Sequence, residues 1–415
     1  MSVLQVQAGI GLLAMALLAA AVGRRFTAGT LRVVVVGLAL QVAVAALFLW
    51  VPPLRAVLGW VGEGVSALAR ATEAGTSLVF GYLGGAPLPF QETAPGASFI
   101  LFFRALPLVL VVGALSALLY HLRVLPLVVS GLSRLLRRAF GLSGAGGFAV
   151  AANVFLGMVE APLLVRAWLQ SLPRTELFAV MTAGMATISG NTLVVYAVLL
   201  APVVPDAAGQ LLVASLVSVP AAVMAALLVL PPGPADATAE EIAPPVLYSS
   251  AMEAVVRGTA DGLALLLGIM AALIVVVALV ALANMALVPL AGLSLQDIAA
   301  VLFLPFAFAM GLDAEAARTA SGLLGTRIVL NEFLAFLSLA ESGGAGLDER
   351  ARLVVTYALC GFANLGSVGI LVAGLSAMAP ERRAEISRLG LPAMLAGALA
   401  CCMTGAVVGL LTPPP

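Results

Sequence analysis

The sequence contains no lysine: its 20 cationic side chains are all arginine, set against 20 acidic ones for a net charge of zero. That excludes Schiff-base catalysis and a P-loop lysine. A single histidine, His121, and three cysteines, Cys360, Cys401 and Cys402, leave no zinc constellation and no disulfide framework. Charge of either sign is scarce, at 10% of 415 residues, where soluble domains carry about 25%. No basic run is long enough to engage nucleic acid. What the chain has instead is hydrocarbon: 62% of its residues are hydrophobic, too many for so few charges to cover in water. It therefore reads as an all-α membrane protein whose first partner is the lipid bilayer.

A bilayer core takes about 20 apolar residues in helical form, and charge-free windows of that kind recur. They run 1–23, 33–54, 105–122, 139–159, 177–205, 207–235, 262–296, 353–381 less the edge charge at Glu381, and 389–415. The first is followed by Arg24 and Arg25, the reverse of a secretory signal, so it reads as a retained helix with its N-terminus outside. The positive-inside rule then places Arg24, Arg25, Arg32, Arg123, Arg134, Arg137, Arg138, Arg382, Arg383 and Arg388 on the cytoplasmic face, with both termini outside the inner membrane. Between the spans, 54–72 and 124–140 alternate apolar and charged residues at helical spacing, which predicts interfacial helices. Pro231–Pro245, rich in proline, alanine and acid, reads as a linker between comparable halves. The expected division is 1–95 for N-terminal scaffold helices, 96–231 for a first repeat, 232–260 for a cytoplasmic linker with an interfacial helix, and 261–415 for a second repeat.

Both halves carry the same irregularity. Around Gly157-Met158-Val159-Glu160-Ala161-Pro162 an apolar stretch is interrupted, leaving arms too short to cross, and a re-entrant hairpin over about 143–172 fits better than a span. The stretch 312–340, interrupted at Asn331-Glu332-Phe333, has the same form. Each is followed by a long apolar helix broken by small and polar residues, Gly184-Met185-Ala186-Thr187-Ile188-Ser189-Gly190 in one half and Gly361-Phe362-Ala363-Asn364-Leu365-Gly366-Ser367 in the other. Paired interrupted segments at corresponding places mark a secondary transporter built as an inverted repeat, with its site where the repeats meet. Broken backbone at that depth has to line a cavity.

A charged side chain at membrane depth costs about 2.5–3.5 kcal/mol even on the lenient insertion scale, so Glu160 and Glu332 require a cation, a donor-rich substrate, water or a proton. The competing role is a helix cap or a partner for Arg104. Asn153 and Thr187 offer oxygen atoms beside broken helices, as a small hard cation needs, although either could be an interhelical hydrogen bond instead. A pair of intramembrane carboxylates could also serve an enzyme as acid and base, but no nucleophile accompanies them.

The ordered set Gly75-Thr76-Ser77, Phe103-Arg104-Ala105-Leu106-Pro107, Ala152-Asn153, Gly157-x-x-Glu160-Ala161-Pro162-Leu163, Glu176-Leu177-Phe178-Ala179-Val180-Met181, Asn331-Glu332-Phe333 and Cys360-Gly361-Phe362-Ala363-Asn364-Leu365 resembles the concentrative nucleoside transporters over nearly the whole chain. The resemblance implies eight transmembrane helices, two re-entrant hairpins, interfacial helices and a homotrimer that imports nucleosides down an ion gradient. Carried over by motif, Met158, Val159 and Glu160 at the first hairpin tip would face the nucleobase. Glu332, Asn364 and Ser367 would bind ribose hydroxyls, and Phe362 would pack beside the sugar. Asn153 and Thr187 side chains with the Leu156 and Ile188 carbonyls would hold sodium. The chemistry agrees, because an ionised carboxylate accepts two hydroxyl protons and an amide both donates and accepts.

The tip departs from many sodium-coupled members, which read Gly-Gln-Thr-Glu where this chain reads Gly157-Met158-Val159-Glu160. A pyrimidine carbonyl loses partners there, and the Gly-Met pair resembles the purine-preferring branch, whose thioether suits a larger apolar face. Asn191 and Thr192 are placed to restore polar contacts. The alternative to sodium is proton coupling, with Glu160 as the proton carrier and a nucleoside or a related small polar solute as cargo.

Overall fold

The computed structural model describes residues 2–24, 27–92, 98–232 and 245–413. Arg25 and most of the expected linker, residues 233–244, lie outside the described residues. The regular elements are helices throughout: α1 (Val3–Gly23), α2 (Ala28–Trp50), α3 (Pro52–Phe80), α4 (Leu101–Arg104), α5 (Leu108–His121), α6 (Val124–Phe140), α7 (Gly144–Ala152), α8 (Glu160–Leu163), α9 (Arg174–Ala186), α10 (Gly190–Leu200), α11 (Ala207–Val229), α12 (Ala251–Ala291), α13 (Leu295–Ala309), α14 (Ala314–Val329), α15 (Glu332–Glu341), α16 (Glu349–Leu359), α17 (Leu365–Met378) and α18 (Arg383–Leu411). Seven helical stretches among the described residues are long and apolar enough to span a bilayer, and the window 353–381 is divided between α16 and α17.

Local chemistry explains the starts. Ser2 and Thr27 form capping boxes with Gln5 and Thr30, and Ser143, Ser250, Asp313 and Asp348 each accept from a backbone N–H of the first turn they precede. The caps continue inside the apolar stretches: Ser189 begins α10, Asn331 begins α15 and Asn364 begins α17. These polar residues restart helices at depth.

The core is built on α9, α11 and α18, which pack on one another, with α1, α2 and α16 against them. The 41-residue α12 lies against α5 and is otherwise mostly exposed. Their contact is backbone on backbone: a Cβ at Gly258 would stand 2.5 Å from the Gly113 carbonyl oxygen, so only glycine allows this approach. α12 also crosses the expected boundary at 260, so the segment foreseen as a separate interfacial helix is the first turns of the long one. The Glu253–Arg257 ion pair at 2.8 Å supports those turns.

The two interrupted segments fold unequally. In 312–340, α14 and α15 are joined through Leu330 and Asn331 as a helical pair. In 143–172, α7 is nine residues long and the return is a single turn, α8, followed by a 3-10 turn over Arg166–Trp168. Pro162 removes one backbone donor on that return, and bonds of three-residue spacing follow it, as from Val165 N–H to the Pro162 carbonyl. An arginine anchors each base. Arg382 donates to the Leu169 and Leu172 carbonyls at 2.9 and 2.7 Å. Arg350 donates to the carbonyls of Gly311, Gly409 and Thr412 at 2.8, 2.6 and 3.1 Å.

Candidate functional site

The broken helices meet at their breaks. α9 ends at Ala186 and α10 restarts at Gly190, while α16 ends at Leu359 and α17 restarts at Leu365. Across the gap the Phe362 N–H donates to the Thr187 carbonyl at 3.3 Å. The first tip joins the same junction through Gly190 N–H, which donates to the Phe155 carbonyl at 2.9 Å. Backbone groups freed by the interruptions are thus satisfied partly by each other.

At this junction Glu332 is buried, and both its oxygens are engaged. Tyr196 Oη donates to Oε1 at 2.7 Å and Asn364 Nδ2 donates to Oε2 at 2.8 Å. Asn364 works twice, since its Oδ1 accepts from the Ser367 N–H at 2.8 Å and so caps α17. Glu332 is the first residue of α15, where the helix dipole favours a negative charge. Arg327, five residues earlier, is fully buried in the last turn of α14 and donates through Nη1 to the Ala358 carbonyl near the end of α16. It therefore serves two helix C-termini, as Glu332 serves an N-terminus.

A second cluster lies between the first tip and α9. Thr187 Oγ1 lies 3.0 Å from the Asn153 carbonyl oxygen and 2.8 Å from the Ala183 carbonyl oxygen, which share its one proton. Asn153 Nδ2 donates to the Ala149 carbonyl at 3.1 Å, while Asn153 Oδ1 is buried with no hydrogen-bond partner. Among the described residues no hydrogen bond reaches the Leu156 or Ile188 carbonyl oxygens either. Several neutral oxygen acceptors therefore collect around Asn153 and Thr187, a donor set suited to a monovalent hard cation. No group of three or more His, Cys, Asp or Glu side chains that could hold a metal occurs among the described residues.

The tip residues meet different neighbours. Met158 is buried, and its Cβ would lie 2.9 Å from a Cβ at Gly184 of α9. Val159 fits against Gly374 of α17, where a Cβ would meet both valine methyls at 2.8 Å. Glu160 is exposed and lies over Gly157, while Asn191 is half-buried at the start of α10 and Phe362 is buried at the break. Thus Glu332, Asn364 and Ser367 form one group, and Asn153 and Thr187 another. Arg104 lines a small cavity with Thr72, Leu108, Val195 and Val198 and forms no ion pair with either glutamate.

Tyr196 and Arg327 were not among the residues expected at the site. Tyr196 had a readable signal, because Ser189, Thr192 and Tyr196 share one helical face. Arg327 had a weaker one, as a charge within the apolar approach to Asn331 and Glu332.

Interrupted helices crossing within an apolar bundle, with a buried carboxylate and an oxygen cluster at the crossing, define a multi-spanning membrane transporter. Residues 10–83 match the family described as Na+ dependent nucleoside transporter N-terminus, 102–203 match nucleoside recognition (Gate), and 210–409 match Na+ dependent nucleoside transporter C-terminus. The chain belongs to this family of ion-coupled nucleoside transporters, which work by alternating access and are not enzymes. It is 33% identical to an uncharacterized transporter of Haemophilus influenzae, over 97% of this chain and 96% of that protein. It is 34% identical to nucleoside permease NupC of Helicobacter pylori, over 91% of each chain. The structure of CNTnw in an inward-facing substrate-bound state superposes with a TM-score of 0.89 at 31% identity, covering 98% of this chain and 99% of that one.

Proposed function

We propose that the protein is a sodium-coupled importer of nucleosides with a purine bias, working as a homotrimer in the inner membrane with both termini outside. The substrate lies between two re-entrant hairpins, α7–α8 and α14–α15, which belong to inverted repeats. Glu332, Asn364 and Ser367 take the ribose hydroxyls and Phe362 packs beside the sugar. Met158, Val159, Glu160 and Asn191 face the base. Sodium is held by the Asn153 and Thr187 side chains and the Leu156 and Ile188 carbonyls. The observation that carries the sodium assignment is the buried, unpartnered Asn153 Oδ1 beside the broken helix. A cation there draws the first tip onto α9 before substrate arrives, so sodium and nucleoside strengthen each other's binding.

Counterflow of radiolabelled adenosine and uridine in proteoliposomes tests this. Replacing sodium by choline should abolish uptake of both, whereas in sodium uptake should be insensitive to collapse of the proton gradient. Uptake that survives in choline and disappears with the proton gradient would instead establish proton coupling, with Glu160 as the carrier.

A further inference from the structure

Glu332 reaches its substrate already holding two partners, and they come from different halves of the chain. Asn364 follows the second hairpin, whereas Tyr196 lies on α10, in the first half. The Tyr196 ring is buried and wedged against the second hairpin, with its centroid 5.1 Å from Phe336 and 6.0 Å from Phe333, both tilted. Two aromatic contacts therefore aim the phenol, and the 2.7 Å bond to Oε1 follows from a fixed ring.

A carboxylate has about four acceptor positions, two on each oxygen. The phenol takes one on Oε1 and the Asn364 amide one on Oε2, which leaves one on each oxygen and fixes the plane that contains them. Two coplanar acceptor sites match the two adjacent hydroxyls of a ribose. Without the phenol the carboxylate is held only at Oε2 and can turn about that bond, so the matching pair of sites is lost for part of the time.

We infer that Tyr196 is a positioning residue for sugar recognition: its hydroxyl stays on Glu332 Oε1 when substrate binds and orients the carboxylate toward a vicinal diol. This rests on the reading of Glu332 as the ribose-binding group. It separates Tyr196 from its packing role, because the ring and the hydroxyl do different things.

The test is Tyr196→Phe, which keeps the ring against Phe333 and Phe336 and removes only the hydroxyl. Binding of adenosine and of 2′,3′-dideoxyadenosine to the purified transporter is measured by calorimetry in sodium, beside Glu332→Gln and the double variant. Adenosine affinity should fall about tenfold in Tyr196→Phe, which corresponds to ~1.4 kcal/mol, while dideoxyadenosine affinity stays at the wild-type level. The double variant should bind adenosine as Glu332→Gln does, and because it leaves no carboxylate short of a donor it keeps the test open if Tyr196→Phe alone does not fold. Equal losses for the two ligands would reduce Tyr196 to a packing residue and overturn the inference, as would wild-type adenosine affinity in Tyr196→Phe or a further tenfold loss in the double variant. Should wild-type protein bind both ligands equally and Glu332→Gln change neither, the ribose reading itself fails, a result distinct from any of these.

Discussion

A buried carboxylate held by a phenol and an amide responds differently to loss of charge than an apolar contact responds to change of shape. Glu332→Gln leaves Tyr196 and Asn364 facing a neutral amide and removes an acceptor for the sugar. Hydrogen bonds to charged groups contribute about 1.5–3 kcal/mol, so adenosine and uridine affinities should both fall by roughly 10- to 100-fold. Unaltered binding of both in this variant would remove the ribose assignment. At the first tip the substitution Met158→Gln with Val159→Thr exchanges apolar surface for hydrogen-bonding groups. It should raise uridine affinity relative to adenosine in competition assays, and parallel changes for the two would remove the base-selectivity idea. Glu332 and Asn364 were legible because a carboxylate and an amide stand out in apolar surroundings. Tyr196 left only the faint sign of a polar face shared with Ser189 and Thr192, and its role stayed hidden because its partner is 136 residues away.

At the scale of elements, the first hairpin depends on where its neighbours have no side chain. Val159 reaches α17 through the space that Gly374 leaves, and a methyl group there would stand 2.8 Å from both valine methyls. Gly374→Ala should therefore displace the tip and weaken nucleoside binding, and Val159→Ala in the same chain should restore much of the loss by removing those methyls. A Gly374→Ala transporter with wild-type affinity, or one that Val159→Ala fails to rescue, would show that the tip does not rest on α17 when substrate binds. The position of both interruptions was readable from short apolar arms flanking polar residues. Their unequal form was not: the return of the first hairpin is settled by Pro162 and by carbonyls that Arg382 of a distant segment satisfies.

The whole molecule places α9, α11 and α18 at the centre and leaves α12 largely uncovered. An apolar helix so little covered by its own chain is what lipid or another copy would face. The proposed orientation across the membrane rests on the arginines, and cysteine-accessibility mapping tests it. Single cysteines at exposed positions within 27–32 should react only with reagent supplied from the cytoplasm, and cysteines placed near residues 2 and 413 only from the periplasm. Labelling in the opposite sense would reverse the topology.

Composition, apolar run length and the placing of polar residues were enough to determine that this chain is a helical membrane protein whose apolar stretches are interrupted at several places. Those properties are local, because a span or a cap is decided within about 20 residues by hydrocarbon transfer and backbone hydrogen bonding. Motif order carried the family. Tertiary structure alone decided that Tyr196 of one half meets Glu332 of the other, that Arg327 joins the ends of α14 and α16, and that α12 continues through the expected boundary at 260. The two contacts depend on which polar groups lie opposite one another, and apolar sequence with helical periodicity leaves that choice open until the helices pack.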